Sequence, residues 1–489
     1  MSDTTVTVTS ETIHEIAPGW ELISGLEVHC ELSTATKLFC GCRNQFGDEP
    51  NTNVCPICLG LPGSLPVVND QAVEFAMRLG RALNCTVHPA VFSRKNYFYP
   101  DMPKDYQVTQ YDKPTNLAGW LELPDGTVIG VTRAHIEEDT GKTVHKGDSG
   151  RIHGADYSLV DYNRSGVPLI EIVSEPDIRT IDQARAYVDE LRKIVVAIGV
   201  SDAKMEEGSM RVDANVSVRP VGSSEFRTRC EIKNINSIRS VGRAMEYEAK
   251  RHIELYDRGE SPRQETRHWD EEAGRTRAGR SKENADDYRY FDEPDLLPLE
   301  PTAADIARID AALPLLPAAR RAQLAEAASS TSVAVALLVD RGHDEIALAA
   351  MRAGADPARV IVHLEHNLPE GLGAMTPDAF VVLIALETTG KLTATQAKTV
   401  LAELAANGGD PTAIAAAKGF EAMAADALET IVDSIIAAHP ADWATFVAAD
   451  DTARKKVAGF FTGQIMKASQ GKADGRAVAE ILARRAAAT

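Results

Sequence analysis

The chain has 489 residues, 44% hydrophobic and 25% charged, with a formal net charge of −19. That length exceeds one hydrophobic core and predicts about two to four domains of ordinary soluble composition. No apolar run approaches the roughly 18 residues of a membrane-spanning helix, and the acidic sum excludes a uniformly basic nucleic-acid binder.

The first twenty residues carry Asp3, Glu11 and Glu15 and no Lys or Arg, the opposite of a secretory or Arg-rich transit segment. A cytoplasmic location is expected. The segment Gly25-Leu26-Glu27-Val28-His29-Cys30-Glu31-Leu32 then alternates strictly. On a strand Leu26, Val28, Cys30 and Leu32 point one way, and Glu27, His29 and Glu31 the other, roughly 7 Å apart in succession. Three groups able to bind a metal or move a proton thus share one face, although a half-exposed strand gives the same pattern.

Next come Cys40-Gly41-Cys42 and, after twelve residues, Cys55-Pro56-Ile57-Cys58. The paired spacing closes four thiolates around Zn²⁺ with no open position, a structural rather than catalytic centre. Seven cysteines are too unevenly spaced for a disulfide framework, and Cys30, Cys85 and Cys230 sit in apolar surroundings expected of a core. The stretch from Arg94 to Gln107 interleaves Arg94, Lys95 and Lys104 with Tyr97, Phe98, Tyr99 and Tyr106. That mixture suits stacking on a base while a cation holds phosphate, or simple packing on a sheet.

Carboxylates recur in three further β-like segments. His135-Ile136-Glu137-Glu138-Asp139 follows the apolar run 128–131, Arg211, Asp213, Asn215 and Ser217 alternate with apolar residues, and Glu231 and Lys233 follow Cys230. Adjacent carboxylates repel unless a cation or water relieves them. Hard oxygen donors with few histidines suit Mg²⁺, whose shell is completed by water and substrate phosphates. No G-x-x-x-x-G-K-[ST] occurs, so a nucleotide's phosphates would be held by metal and by Lys or Arg. A polar-aromatic patch, Asp286 to Phe291, either lines that site or latches a linker.

Composition changes near residue 300: 21 of the 27 aromatic residues precede 301, and Ala-rich helical spacing follows. Pro294, Pro298 and Pro301 mark a boundary, and Asn407-Gly408-Gly409-Asp410-Pro411 reads as a helix C-cap and turn. An α+β body over 1–300 with a cysteine loop at 40–58, a helical domain over 301–408 and a helical tail over 409–489 are expected. Residues 1–300 and 301–451 are net acidic, −14 and −11, whereas 452–489 is +6. No activated Cys and no nucleophile-elbow sequence is present, so ammonia for any amidation would come from another polypeptide.

These segments, together with Asp161-Tyr162-Asn163-Arg164, Pro168-Leu169-Ile170-Glu171-Ile172-Val173-Ser174-Glu175-Pro176-Asp177, Lys204 to Asn215, Lys233 to Ser237, Asp286 to Asp295 and Gly459 to Ser469, resemble the B subunits of the Asp/Glu-tRNA(Asn/Gln) amidotransferases. The likeness spans essentially the whole chain. It implies a glutamine-synthetase-like cradle with a mostly antiparallel sheet, followed by an all-α domain and a small α-helical tail. It also implies an ATP- and Mg²⁺-dependent ligase that phosphorylates the side-chain carboxylate of misacylated Glu-tRNA(Gln) or Asp-tRNA(Asn) and transfers ammonia to it. The partners implied are an amidase A subunit and a small C subunit. By position, Glu27, His29 and Glu138 would be Mg²⁺ ligands. Glu137, Asp213 and Glu231 would line a cation and ammonia path, and Lys95 would hold phosphate. Cys40, Cys42, Cys55 and Cys58 would hold an optional structural zinc, and Lys455, Lys456, Lys467 and Lys472 would meet tRNA phosphates. A zinc-bearing tRNA adaptor without chemistry is the competing reading; it needs the tail and the cysteines but no acidic strand faces.

Overall fold

The alternation around His29 is the middle of one long strand. The computed structural model describes residues 14–147, 155–281, 285–331, 333–420, 425–448, 451–469, 473 and 475–487, apart from the side chains at 280, 281, 285, 286, 425, 451–456 and 476. The chain divides into two compact units, one ending at Ala318 and one beginning at Ala319.

The first unit contains β1 (Glu15–Ala17), β2 (Trp20–Glu31), β3 (Thr86–Val87), β4 (Ser93–Asn96), β5 (Tyr106–Thr109), β6 (Asn116–Glu122), β7 (Val128–Glu138), β8 (Lys142–Lys146) and β9 (Tyr157–Asp161). It continues with β10 (Pro168–Ser174), β11 (Met210–Pro220), β12 (Cys230–Ile235), β13 (Glu265–Asp270), β14 (Arg275–Ser281) and β15 (Phe291–Asp292). Its helices are α1 (Asp70–Ala82), α2 (Ile181–Ala197), α3 (Ile238–Asp257) and α4 (Ala303–Ala312). The large sheet runs β14-β13-β12-β11-β2-β10-β7-β6-β3, with β1 added to β2. Each pairing in it is antiparallel except β12 with β13. The architecture is α+β with a large, mostly antiparallel sheet. Two small sheets, β15-β4-β5 and β8-β9, complete the strands.

One face of β2 is dry. Leu22, Leu26, Val28 and Cys30 have no solvent exposure and join Ile136, Ile172, Val212 and Val216 in one core. Each fully buried Leu or Val contributes about 1.5–3 kcal/mol by leaving water. Helix α3 packs on β11 and β12, α2 on α3, and α1 on β6 and β7. The helices start where short polar side chains can cap them. Asn69 accepts from the amides of Gln71 and Ala72, Thr180 and Gln183 form a reciprocal capping box, and Ser237 accepts from Ser240. Glycine is required at Gly80, where a Cβ would stand 1.9 Å from Asn116 Oδ1.

The first unit runs past the proline-marked boundary. Helix α4 docks on α1 through Arg81, which donates to both carboxylate oxygens of Asp310 at 2.7 and 3.2 Å, and through Arg308 to Glu74 at 3.1 Å. In the second unit one core gathers Val360, Phe380, Leu383, Val400 and Leu404, and another gathers Val432, Trp443, Phe446, Phe461 and Ile465. Within the first of these cores, between the helices Ala394–Asn407 and Pro411–Ala417, Gly408 takes φ 70°, and Asp410 accepts from the Ala413 amide at 2.7 Å ahead of Pro411. The residue pattern at 407–411 predicts this cap. Among the described residues no helix is long and apolar enough to cross a membrane.

A buried carboxylate fastens α3 to the sheet edge. Glu248 has no exposure; it accepts from Arg251, from Thr276 Oγ1 at 2.8 Å, and lies 3.4 Å from Arg267 Nε. Burial alone would raise its pKa, but His252 and Arg251 outweigh burial and lower it to about 2. A depressed carboxylate pKa stabilises the fold above the unfolded value and loses that contribution as pH falls through the folded one. The contribution is on the order of 3 kcal/mol. Between about pH 5 and pH 2 the stability difference between wild type and Glu248→Gln, measured by urea unfolding, shrinks progressively. A difference independent of pH counts against this account.

Candidate active site and cysteine knot

The other face of β2 is polar, and antiparallel register assembles it from distant parts of the chain. Arg211 on β11 pairs with His29, His29 with Glu171 on β10, and Glu171 with His135 on β7. His29 Nε2 lies 3.3 Å from Glu171 Oε2 and 3.5 Å from Glu137 Oε1. One ligand atom from each of His29, Glu137 and Glu171 falls within 4.8 Å of the others, a geometry that can hold a metal ion.

The electrostatics of this trio are strained by crowding. Burial alone would lower His29, yet Glu171, Glu137 and Asp213 outweigh it and raise it to about 9. Burial and Glu171 push Glu137 up to about 7, while burial lowers His135 to about 4. Burial would raise Glu171 too, but His135, His29 and Lys95 hold it well below the usual carboxylate range. The protonated imidazole therefore bridges two carboxylates, the charge role a bound cation fills.

Glu27 is the register partner of Asp213, and its Oε1 accepts from Asn215 Nδ2 at 2.8 Å. Lys233 joins the next strands: its Nζ is 2.5 Å from Asp213 and 3.4 Å from Glu231, while Glu231 also accepts from Thr266 Oγ1 at 2.8 Å. Glu27, Asp213 and Glu231 thus form a row across β2, β11 and β12. Lys95 on β4 sits 4.7 Å from the ring centre of Tyr288. Asn96 donates to the carbonyls of Tyr288 and Arg289 at 2.9 and 2.8 Å. This latch carries Tyr290 into a parallel stack with Tyr111, centroids 4.1 Å apart. The aromatic patch after Asp286 therefore both latches to β4 and borders the acidic face.

Glu138 is placed differently from the metal-ligand role expected of it. Alternation along β7 sends it to the face opposite Glu137. There it accepts from Lys104 Nζ and from the Val108 amide at 2.7 Å. The structure does not bring Glu138 together with Glu27 and His29; Glu137 and Glu171 stand beside His29 instead. Sequence reasoning assigned Glu171 no role. Its signal is one acid in an otherwise apolar strand, Pro168-Leu169-Ile170-Glu171-Ile172-Val173. Glu31 faces Asp139, and burial together with that carboxylate pushes it up to about 7.

Glu138 instead lines a cavity of about 70 Å³ with Lys37, Cys40, Cys58, Lys104 and Glu293. That volume holds a few waters and no nucleotide. Beside it, one Sγ from each of Cys40, Cys42, Cys55 and Cys58 lies within 4.8 Å of the rest, and none is in a disulfide. The Cys55 amide donates to Cys58 Sγ at 3.1 Å. The four cysteines form a cluster able to bind a metal and compatible with structural zinc.

Of the basic residues expected at the tail, Lys467 is exposed on the helix Asp451–Ala468. Lys455 and Lys456 belong to that helix, but their side chains lie outside the described residues, as does all of Lys472. Arg484 and Arg485 are engaged by Glu429 and Asp433 within the same unit.

The chain matches known proteins along nearly its whole length. Residues 22–336 match the family described as GatB/GatE catalytic domain, and residues 363–485 match the family described as GatB domain. The chain belongs to the GatB family. It is 47% identical over 492 residues to the B subunit of the aspartyl/glutamyl-tRNA(Asn/Gln) amidotransferase of Frankia casuarinae, covering 96% of each chain. It is 46% identical over 488 residues to the protein of the same name from Nocardia farcinica, again 96% of each, and 44% over 486 residues to that of Acaryochloris marina, 95% of this chain and 97% of the other.

The placement of the carboxylates is open to direct test. Mn²⁺ titration followed by electron paramagnetic resonance is expected to show Glu137→Gln and Glu171→Gln weakening binding at least about tenfold, ~1.4 kcal/mol or more. Glu138→Gln leaves it unchanged. Weakening by Glu138→Gln alone reverses the assignment.

Proposed function

We propose that this chain is the ligase subunit of a tRNA-dependent amidotransferase. It converts misacylated Glu-tRNA(Gln) and Asp-tRNA(Asn) to Gln-tRNA(Gln) and Asn-tRNA(Asn) in the cytoplasm. The observation that carries this reading is the His29–Glu137–Glu171 trio, on the central strands of a chain collinear with subunits of that name. The sequence shows no Cys beside a plausible base and no nucleophile elbow, which fits a division of labour with an amidase A subunit and a small C subunit.

In this reading His29, Glu137 and Glu171 hold Mg²⁺, which supplies charge neutralisation at the phosphates of ATP. Lys95 steadies the transferring phosphoryl group as it passes to the side-chain carboxylate of the aminoacyl ester. Glu27, Asp213 and Glu231 bind ammonium on the same face and accept its proton, so that neutral ammonia attacks the acyl phosphate and phosphate leaves. The Tyr111–Tyr290 stack and Lys95 line the nucleotide side. The first unit is a glutamine-synthetase-like cradle, and the second comprises a helical domain and a tail whose Lys455, Lys456, Lys467 and Lys472 meet tRNA phosphates. Zinc on Cys40, Cys42, Cys55 and Cys58 holds the fold and takes no part in the chemistry.

The assembled complex, given misacylated tRNA, ATP and ammonium chloride, bypasses the amidase. Glu171→Gln and Glu27→Ala each lower amidated tRNA formation at least about 100-fold under these conditions; wild-type rates in both variants refute the ligase assignment. For the tail, Lys467→Glu weakens tRNA binding and makes the slope of log K against log salt shallower by about one, the share of a single neutralised phosphate. An unchanged slope removes Lys467 from the interface.

A further inference from the structure

Lys37 is fully buried, one of the largest side chains in the molecule without solvent exposure. Among the described residues its Nζ donates to the Tyr162 carbonyl at 3.1 Å, and no carboxylate there lies within ion-pair distance of it. A buried ammonium with only a neutral acceptor costs several kcal/mol, so a compensating negative charge is required nearby.

The carboxylates of the surrounding cavity are already matched. Glu138 accepts from Lys104, and Glu293 is held by Arg94 through two hydrogen bonds of 2.6 and 2.8 Å. Besides the Ser64 and Tyr106 hydroxyls, the polar groups that remain in the cavity wall are the sulfurs of Cys40 and Cys58. A Cβ built on Gly166 would stand 3.6 Å from Lys37 Cδ, 3.7 Å from Cys58 Cβ and 3.8 Å from Glu138 Oε2, so the lysine, the cysteine cluster and a carboxylate already holding Lys104 flank the same point. The Lys37 amide also donates to the Cys42 carbonyl at 2.9 Å, fixing the lysine to the cysteine loop. Four neutral thiols would offer this ammonium nothing. Four thiolates around a divalent ion carry a net charge of about −2.

We infer that Lys37 is the buried counter-charge of a metal–tetrathiolate centre formed by Cys40, Cys42, Cys55 and Cys58, and that its ammonium governs how tightly the metal is held. This rests on reading the four cysteines as a metal site. Lys37 is a positioning residue: it touches no ligand atom of the reaction. Through it the metal is tied to the loop after β9. The Tyr162 carbonyl accepts from Lys37, Gly166 O accepts from the Leu38 amide at 2.9 Å, and Arg164 Nε lies 3.4 Å from Asp139.

The test is zinc release from the full-length protein to a chelating dye. Wild type is expected to hold about one equivalent. Lys37→Met releases it at least about tenfold faster, the usual scale for losing an outer partner of a metal site, and Lys37→Arg restores most of the retention. Wild-type stoichiometry and release rate in Lys37→Met overturn the inference while leaving the zinc site intact. Less than about a tenth of an equivalent in wild type, with no uptake of added zinc, sinks the metal site itself and the inference with it. If Lys37→Met does not fold, amine acetylation of wild type read by mass spectrometry decides. Lys37 is protected with metal bound and labelled after stripping; equal protection in both states overturns the inference.

Discussion

The polar site depends on the register of β2 between β10 and β11. Because successive strand residues face opposite sides, a slip of one residue would turn Glu27, His29 and Glu31 into the core and expose Leu26, Val28 and Cys30. The apolar set on the dry face is therefore what fixes the charged set on the other. Val28 opposite Ile172 and Val212 holds His29 opposite Glu171 and Arg211. The chemistry is positioned by residues that take no part in it.

Crowding carboxylates on one sheet face carries an electrostatic cost, and the structure answers it by neighbour rather than by net charge. Asp139 accepts from Arg211 at 2.9 Å, Asp213 from Lys233, and Glu171 sits between two histidines. Asp139 and Asp213 thus each have a guanidinium or ammonium partner of their own. The Glu137–His29–Glu171 group is the place where two carboxylates share one imidazole, so it retains the strongest demand for a further positive charge. The acidic balance of the chain as a whole says little about this.

Local pattern was enough to read β2, the four-cysteine cluster and the cap at Gly408–Pro411, because each is decided by residues close together in sequence. Four features escaped it. Glu137 and Glu138 are neighbours whose side chains go to opposite faces, and only the pairing of β7 with β10 says which reaches His29. Glu171 reads as an interruption in an apolar strand until β2 and β7 are known to flank it. Lys37 reads as an ordinary polar loop residue, since its burial comes from the cysteine loop and from the segment around Tyr162, more than a hundred residues away. Helix α4 looked separable because prolines precede it, but its partners Arg81 and Glu74 lie 229 and 234 residues earlier in the sequence.

The pairing of residue 29 with residues 171 and 211 has a consequence for how the chain comes off the ribosome. At about 5–20 residues per second, the 136 residues between β2 and β10 take roughly 7–30 s to synthesise. Throughout that interval β2 has only the short β1 beside it, and its valine- and leucine-bearing edge stays unpaired. The strand at the heart of the finished sheet is thus among the first to be made, yet it waits for both of its long partners. A nascent chain of this design depends on protection of residues 20–31 until β10 and β11 emerge, and slow translation lengthens its exposure.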